Sequence, residues 1–252
     1  MRRIAIFSDI HANLTALDAV LADVDEAGVT ERYCLGDLIG YGPDPGGVIA
    51  RIRDTGIPTI PGNYDEGVAS RRGSCGCYYA TDTARADGDE SYRFTDAMLT
   101  EADADWLLAL PGQIRLDHAG ASILFTHGSP RKINEYLLLD RTEAQLARLA
   151  RQADADVVCH GHVHLIHYVS SGSAGKPKDG DPRAGWVELI LAEENAVRAV
   201  APDDEAVAPV GATDVWLGAV FHRVAYDIDA VVAAMSAAGL PERLGAALRT
   251  GG

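Results

Sequence analysis

Arg3-Ile4-Ala5-Ile6-Phe7-Ser8-Asp9-Ile10-His11 opens the chain with a short apolar run that ends in an acid and a histidine two residues apart. The run has the length and composition of a buried β-strand, and the spacing puts Asp9 and His11 on one side of its carboxyl end. The same grammar recurs downstream. Tyr33-Cys34-Leu35 leads into Gly36-Asp37-Leu38-Ile39-Gly40, and Ile57 to Ile60 lead into Pro61-Gly62-Asn63-Tyr64-Asp65. Ser122 to Phe125 lead into Thr126-His127-Gly128, and Val157 to Cys159 into His160-Gly161-His162-Val163-His164. Glycines beside the polar residues allow sharp turns that leave the side chains free.

Open α/β sheets bind ligands beyond the carboxyl ends of their strands, so five such segments are expected to converge on one crevice. The converging set is Asp9, His11, Asp37, Asn63, His127, His162 and His164. Carboxylates, an amide oxygen and imidazoles suit divalent manganese, iron, cobalt, nickel or zinc, and a carboxylate such as Asp37 can bridge two ions.

The ordered blocks Asp-x-His, Gly-Asp-x-x-Gly, Gly-Asn-x-Asp, His-Gly and Gly-His-x-His, spread over residues 4–164, resemble the calcineurin-like metallophosphoesterases. Gly36 to Pro45 and Ser171 to Arg183 are similar to a compact bacterial branch of that family, phosphodiesterase in type. The resemblance implies two stacked mixed β-sheets flanked by helices, a four-layer α/β/β/α sandwich. It further implies one ion on Asp9, His11, Asp37 and His164, and a second on Asp37, Asn63, His127 and His162.

Within the Gly-Asn block the chain departs from the family. The usual histidine between asparagine and acid, assigned to help the leaving group depart, is here Tyr64. A phenol with an ordinary pKa of about 10 is a poorer proton donor near neutrality than imidazole. Tyr64 and Asp65 are the expected catalytic positions, and Asn13 and Tyr64 the expected substrate contacts. Asn13 would serve equally as the cap of a helix beginning at Leu14. Of the other histidines, His118 and His222 read as structural, His160 as a strand-end residue or a partner to a ligand, and His167 as a possible lining of the crevice.

The 252 residues suit a single α/β domain over 1–252, and 37 acidic against 22 basic side chains leave a net charge of −15. That balance disfavours large nucleic acids and leaves small anions, drawn in by the metals themselves, as partners. The expected partner is a small phosphoester, a nucleotide by preference. The amino terminus runs straight into a ligand-bearing strand, and no 18-residue apolar run occurs, so no membrane association and a cytoplasmic location are expected. Cys34 and Cys159 read as buried apolar residues, and Cys75-Gly76-Cys77 as two reduced thiols rather than a metal site.

Helical spacing is expected over Leu14 to Ala27 and Gly47 to Asp54. Residues of about 66–110 form an insertion long enough to cap the crevice, with a polar turn at Asp87 to Glu90, a helix from Thr95 to Leu110, and tyrosines able to stack on a base. Asp140, with Glu143, would cap a helix through Gln152. After a Gly- and Pro-containing loop over Ser170 to Arg183, strands are expected at Gly185 to Ala192, Ala196 to Ala201 and Val215 to Ala225. A helix from Asp227 to Gly239 follows, and Asp203-Asp204-Glu205 reads as a solvated loop.

Two ions roughly 3.5 to 4 Å apart can activate a bridging water and stabilise both oxygens of a displacement at phosphorus. Tyr64 favours substrates that leave easily, such as a strained 2′,3′-cyclic nucleotide, over phosphomonoesters. A phosphoprotein or nucleotide phosphomonoesterase is the alternative inside the enzyme class, and a protein-binding scaffold the alternative outside it.

Overall fold

A computed structural model describes residues 1–138, 140–164, 170–201 and 206–252, so the expectations for His167 and for Asp203 to Glu205 lie outside the described residues. Strand β1 (Arg2–Phe7) is followed by α1 (Leu14–Glu26), β2 (Glu31–Cys34) and α2 (Pro45–Thr55). The β1–α1–β2 unit is a parallel crossover, with Ile4 to Phe7 paired to Glu31 to Cys34. Asn13 caps α1 by accepting from the Ala16 amide, and Asp44 caps α2 by accepting from Gly47, with Pro45 in the first turn where a missing N–H costs nothing.

The next stretch is helical: α3 (Asn63–Ala69), α4 (Asp82–Met98) and α5 (Glu101–Leu108). Then come β3 (Ile114–His118), β4 (Ala121–Phe125), α6 (Glu143–Ala153), β5 (Val157–Cys159), β6 (Ala184–Ala192), α7 (Glu194–Val200), β7 (Val207–Pro209), β8 (Trp216–Val224), α8 (Ile228–Ala237) and α9 (Glu242–Thr250). One sheet has the order β2-β1-β6-β8-β7 and the other β3-β4-β5, each mixing parallel and antiparallel pairs. Ile4, Ile6, Leu35, Val187 and Leu189 from the first sheet share a dry core with Ile123, Phe125, Val157 and Cys159 from the second. The opposite face of the first sheet, through Ala5, Phe7 and Trp186, packs on Leu17, Val20 and Val24 of α1 and Ile49 and Ile52 of α2. This is the expected pair of stacked mixed sheets with helices outside.

Several expectations for individual elements require correction. The polar turn at 87–90 lies inside α4, and the helix expected over 95–110 is two helices broken at Leu99 and Thr100. Apolar periodicity could not show this, because the inward side of α4 is polar or small. Asp87 is held by Arg243, Gly88 lies against the Tyr79 ring, and Ser91 and Thr95 are fully buried. The strand expected at 196–201 is α7, whose Val197 packs over Gly218 of β8 and whose Glu194 and Arg198 pair across one turn. Helix α6 begins later than expected because its capping box is Thr142 with Gln145, not Asp140 with Glu143. Cys75 and Cys77, expected as free thiols, are joined in a disulfide. Segment 57–60 makes only a single bridge, Thr59 to Cys34, instead of a strand. Strand β7 and helix α9 were not anticipated.

Candidate metal centre

The β1, β2, β4 and β5 ends and the start of α3 meet at one edge of the stacked sheets. Asp9, His11 and His164 form one group of potential ligand atoms lying within 4.8 Å of one another, and Asp37, His127 and His162 form another. All six side chains are buried, as is Asn63. The groups adjoin: His11 Nε2 lies 3.8 Å from Asp37 Oδ2, and His127 Nε2 lies 3.4 Å from the same oxygen. Asn63 joins the second group through Oδ1, 3.1 Å from His127 Nε2.

Local backbone geometry explains why these residues, rather than their neighbours, point inward. Asp9, His11, Asp37, His162 and His164 all have φ between 51° and 68°, the left-handed region that side-chain-bearing residues rarely occupy. Such strain costs of order 1–3 kcal/mol per residue and survives only where surrounding contacts fix the turn. Here they do. Asp9 N–H donates to Gly36 O at 2.8 Å, His11 N–H to Asp37 O at 3.0 Å, and His162 N–H to Asp9 Oδ2 at 2.9 Å. Gly62 is pressed against Asp37 so closely that a Cβ would overlap its carboxylate.

The imidazoles are set in one tautomer by backbone carbonyls. His11 Nδ1 faces Ile39 O at 3.2 Å, His127 Nδ1 faces Leu35 O at 2.7 Å, and His164 Nδ1 faces Lys176 O at 2.5 Å. Each Nδ1 therefore carries a proton; at His11 and His164 the Nε2 turns its lone pair inward, whereas His127 Nε2 faces the Asp37 and Asn63 oxygens and carries a second proton until a cation takes its place. His11 Nε2 and His164 Nε2 consequently oppose one another at 3.0 Å, an arrangement that neither can satisfy with a hydrogen bond. Among the described residues, Asp9 Oδ1 and His162 Nε2 are buried without a hydrogen-bond partner. A buried unpaired acceptor costs about 1–3 kcal/mol, and a cation between these lone pairs removes that cost. The donor set thus fits divalent ions.

Electrostatics agree. Burial and the neighbouring His164 hold His11 well below the usual histidine range, and burial with His127 pushes His162 down to about 2, so both are neutral ligands. His127 is pushed up to about 9, because Asp37 outweighs the effect of burial. Burial favours the protonated acid of Asp9, but His164, His127 and His11 together hold it well below the carboxylate range.

The expected catalytic and substrate residues sit differently. The Tyr64 ring is fully buried under His11 and Tyr41, and its hydroxyl pairs with Ser91 Oγ at 2.7 Å on α4, away from the crevice. Asp65 is also buried, accepting from the Gly62, Leu38 and Ile39 amides at 2.8 to 3.1 Å, so that it clamps the Gly36–Gly40 loop onto α3. Burial and nearby Asp37 raise its carboxyl to about 7 against those amides. Asn13 spends its amide on the α1 cap and on Gly175 O and Tyr226. His160 is buried at the β5 end, His118 ends β3, and His222 stacks on Trp186 with ring centres 3.8 Å apart.

A crevice of about 260 Å³ opens over the ligands, walled by His11, Asp37, His162 and His164 on one side and Tyr78, Tyr79 and Tyr136 on the other. Tyr78 is 75% exposed, whereas the Tyr79 hydroxyl is occupied by Tyr41 at 3.3 Å. Tyr136 lies over the His162 ring at 4.1 Å. Lys176 and Lys178 also line the crevice and were not singled out by sequence. The only signal for them was their place in the loop that resembles the bacterial branch.

A family model described as the calcineurin-like phosphoesterase superfamily domain matches residues 1–188. The chain belongs to this superfamily. It is a metal-dependent phosphoester hydrolase, with divalent ions implied by the family and two ligand groups present to hold them. An uncharacterized protein of Methanocaldococcus jannaschii is 28% identical over 206 residues, 73% of this chain and 80% of that protein. The crystal structure of a metallophosphoesterase from Sphaerobacter thermophilus superposes with a TM-score of 0.68 at 29% identity, covering 99% of this chain and 100% of the other. A hypothetical protein of Pyrococcus horikoshii shares the fold with a TM-score of 0.77 at 20% identity, over 100% and 99% of the two chains. Among the described residues no helix is long and apolar enough to cross a membrane.

Proposed function

We propose that the protein is a phosphodiesterase acting on small nucleotides, of which a 2′,3′-cyclic nucleotide is the type, with manganese as the preferred ion among manganese, iron, zinc, cobalt and nickel. The observation that carries this reading is Tyr64. The family's usual histidine is absent, and the phenol in its place turns to Ser91, so the Gly-Asn block presents no proton donor to a leaving group. Substrates whose leaving oxygen departs through released ring strain suit such a site best.

Asp9, His11, Asp37 and His164 would hold one ion, and Asp37, Asn63, His127 and His162 the other, with Asp37 shared. Two such ions supply an activated water and neutralise charge developing on phosphoryl oxygens. The chain's own residues orient the rest. Carbonyls of Leu35, Ile39 and Lys176 keep the imidazole protons on Nδ1, and Asp65 holds the Asp37 loop in its turn. The segment after Asn63 caps the crevice, where the exposed Tyr78 ring offers a face for a base. In this reading Tyr64 and Asp65 are positioning residues, and Asn13 braces the loop at Gly175.

Manganese-loaded protein should hydrolyse a bis-aryl phosphodiester at least tenfold faster than the corresponding aryl monoester, judged by kcat/KM. Comparable turnover of the two contradicts the reading and favours a phosphomonoesterase.

A further inference from the structure

Lys176 and Lys178 stand apart from the other cations of the crevice. Arg243, at the rim, is committed to Asp87 through two hydrogen bonds of 2.8 and 2.9 Å. The carboxylates near the lysines in sequence are committed as well: Asp179 pairs with Arg223, and Asp181 pairs with Arg183. Among the described residues neither lysine forms an ion pair with a carboxylate. The Lys176 ammonium instead lies 4.4 Å from the centre of the Tyr41 ring, and that ring meets His11 edge-on with centres 4.9 Å apart.

The backbone ties both lysines to a ligand of the proposed metal centre. Lys176 O accepts from His164 Nδ1 at 2.5 Å, and Lys178 N–H donates to His164 O at 3.2 Å. Lys176 N–H reaches Ser173 Oγ at 2.8 Å, and that hydroxyl donates to Asp9 O at 2.8 Å. Gly175 packs against Ile10 O with no room for a side chain, and Pro177 separates the lysines. The backbone of both lysines is thereby held beside one ligand edge, next to His164, and both side chains line the crevice.

Like charges held together beside a dinuclear cation site are unfavourable until an anion arrives. Burial lowers both lysines, Lys176 well below the usual lysine range with Lys178 adding to the effect, against the attraction of Asp9 and, at Lys178, of Asp37. Those carboxylates are the proposed metal ligands, so bound cations would take their charge. A monoanionic diester on the metals would leave the two ammonium charges uncompensated. We infer that Lys176 and Lys178 form an anion subsite that binds a second phosphoryl group of the substrate, next to the one held at the metal centre. This builds on the phosphoesterase reading of the centre and favours, among small nucleotides, those that carry a second phosphoryl group beside the one at the metals; a cyclic nucleotide with a single phosphoryl group would bind without using this subsite.

The test is direct binding, which needs no turnover and so stands apart from the choice between diester and monoester. Methylphosphonate and methylenediphosphonate are titrated calorimetrically into manganese-loaded protein at a fixed free manganese concentration. Native protein should bind methylenediphosphonate at least a hundredfold tighter than methylphosphonate. Lys176→Gln/Lys178→Gln should cut that ratio at least tenfold, and Lys176→Arg/Lys178→Arg should restore most of it with unchanged metal content. A ratio that survives in the glutamine variant overturns the inference. So does an equal loss for both ligands, which would place the lysines on the first phosphoryl group. Should the glutamine variant lose metal or fold, the arginine variant decides: an anion subsite requires it to keep the native ratio, and a collapsed ratio in this charge-preserving protein overturns the proposal.

Discussion

The ligand loops and the wall segment from Tyr64 to Leu108 face each other across the crevice, yet they fix their side chains by different means. At the loops, left-handed backbone turns and a lattice of main-chain hydrogen bonds hold buried polar groups whose lone pairs converge. In the wall, ordinary helices with Thr81 and Thr100 caps present a mixed surface. It is buried at Tyr64, Ser91 and Thr95 and open at Tyr78. The loops therefore tolerate almost no change, because a shift in one turn moves several ligands. The wall can vary at its exposed rings without disturbing the centre, which suits it to selecting substrates.

Asp37 is the sharpest test of that contrast, since its oxygen faces both groups. Asp37→Asn should lower kcat/KM on the order of a thousandfold, the equivalent of several kcal/mol of charge stabilisation, and should leave fewer than two ions bound. Gly62→Ala should follow, because its methyl meets the Asp37 carboxylate; overpacking of this kind costs about 1–3 kcal/mol, read as a lowered urea midpoint. A midpoint and metal content equal to the parent would show the loop to be softer than its geometry. In the wall, Tyr78→Ala should raise KM for a cyclic nucleotide by roughly fivefold to a hundredfold, the worth of about 1–3 kcal/mol of stacking, with two ions retained. Tyr64→Phe should be the mildest change, costing about 0.5–1.5 kcal/mol of stability through loss of the Ser91 bond, with kcat altered less than threefold. A large fall in kcat there would return Tyr64 to the chemistry.

The same contrast marks how far the sequence could be read. Strand ends such as Phe7-Ser8-Asp9 and Cys159-His160-Gly161 announce themselves by apolar runs that stop at polar residues, so the two sheets and the meeting of the seven side chains were legible. Helix α4 was not, because its inward face carries Gly88, Ser91 and Thr95 in place of an apolar stripe: Ser91 Oγ pairs with the Tyr64 hydroxyl and the Tyr41 amide, and Thr95 turns its hydroxyl back to Ser91 O. Helix α7 is not legible as a helix, because Ala196 to Ala201 is short and apolar and suits either conformation. Tyr64 was recognised as unusual, but where its hydroxyl points depends on Ser91, 27 residues away. The lysines escaped notice for a similar reason: their tie to His164 is made by backbone atoms that carry no side-chain signature.

Converging strand ends should hold two ions that share Asp37. Crystals of manganese-loaded protein, with anomalous scattering collected at the manganese edge, test it most directly. Two peaks per chain are expected, one bounded by Asp9, His11, Asp37 and His164 and the other by Asp37, Asn63, His127 and His162, both lost after chelation. A single peak, or peaks away from these side chains at saturating manganese, would contradict it.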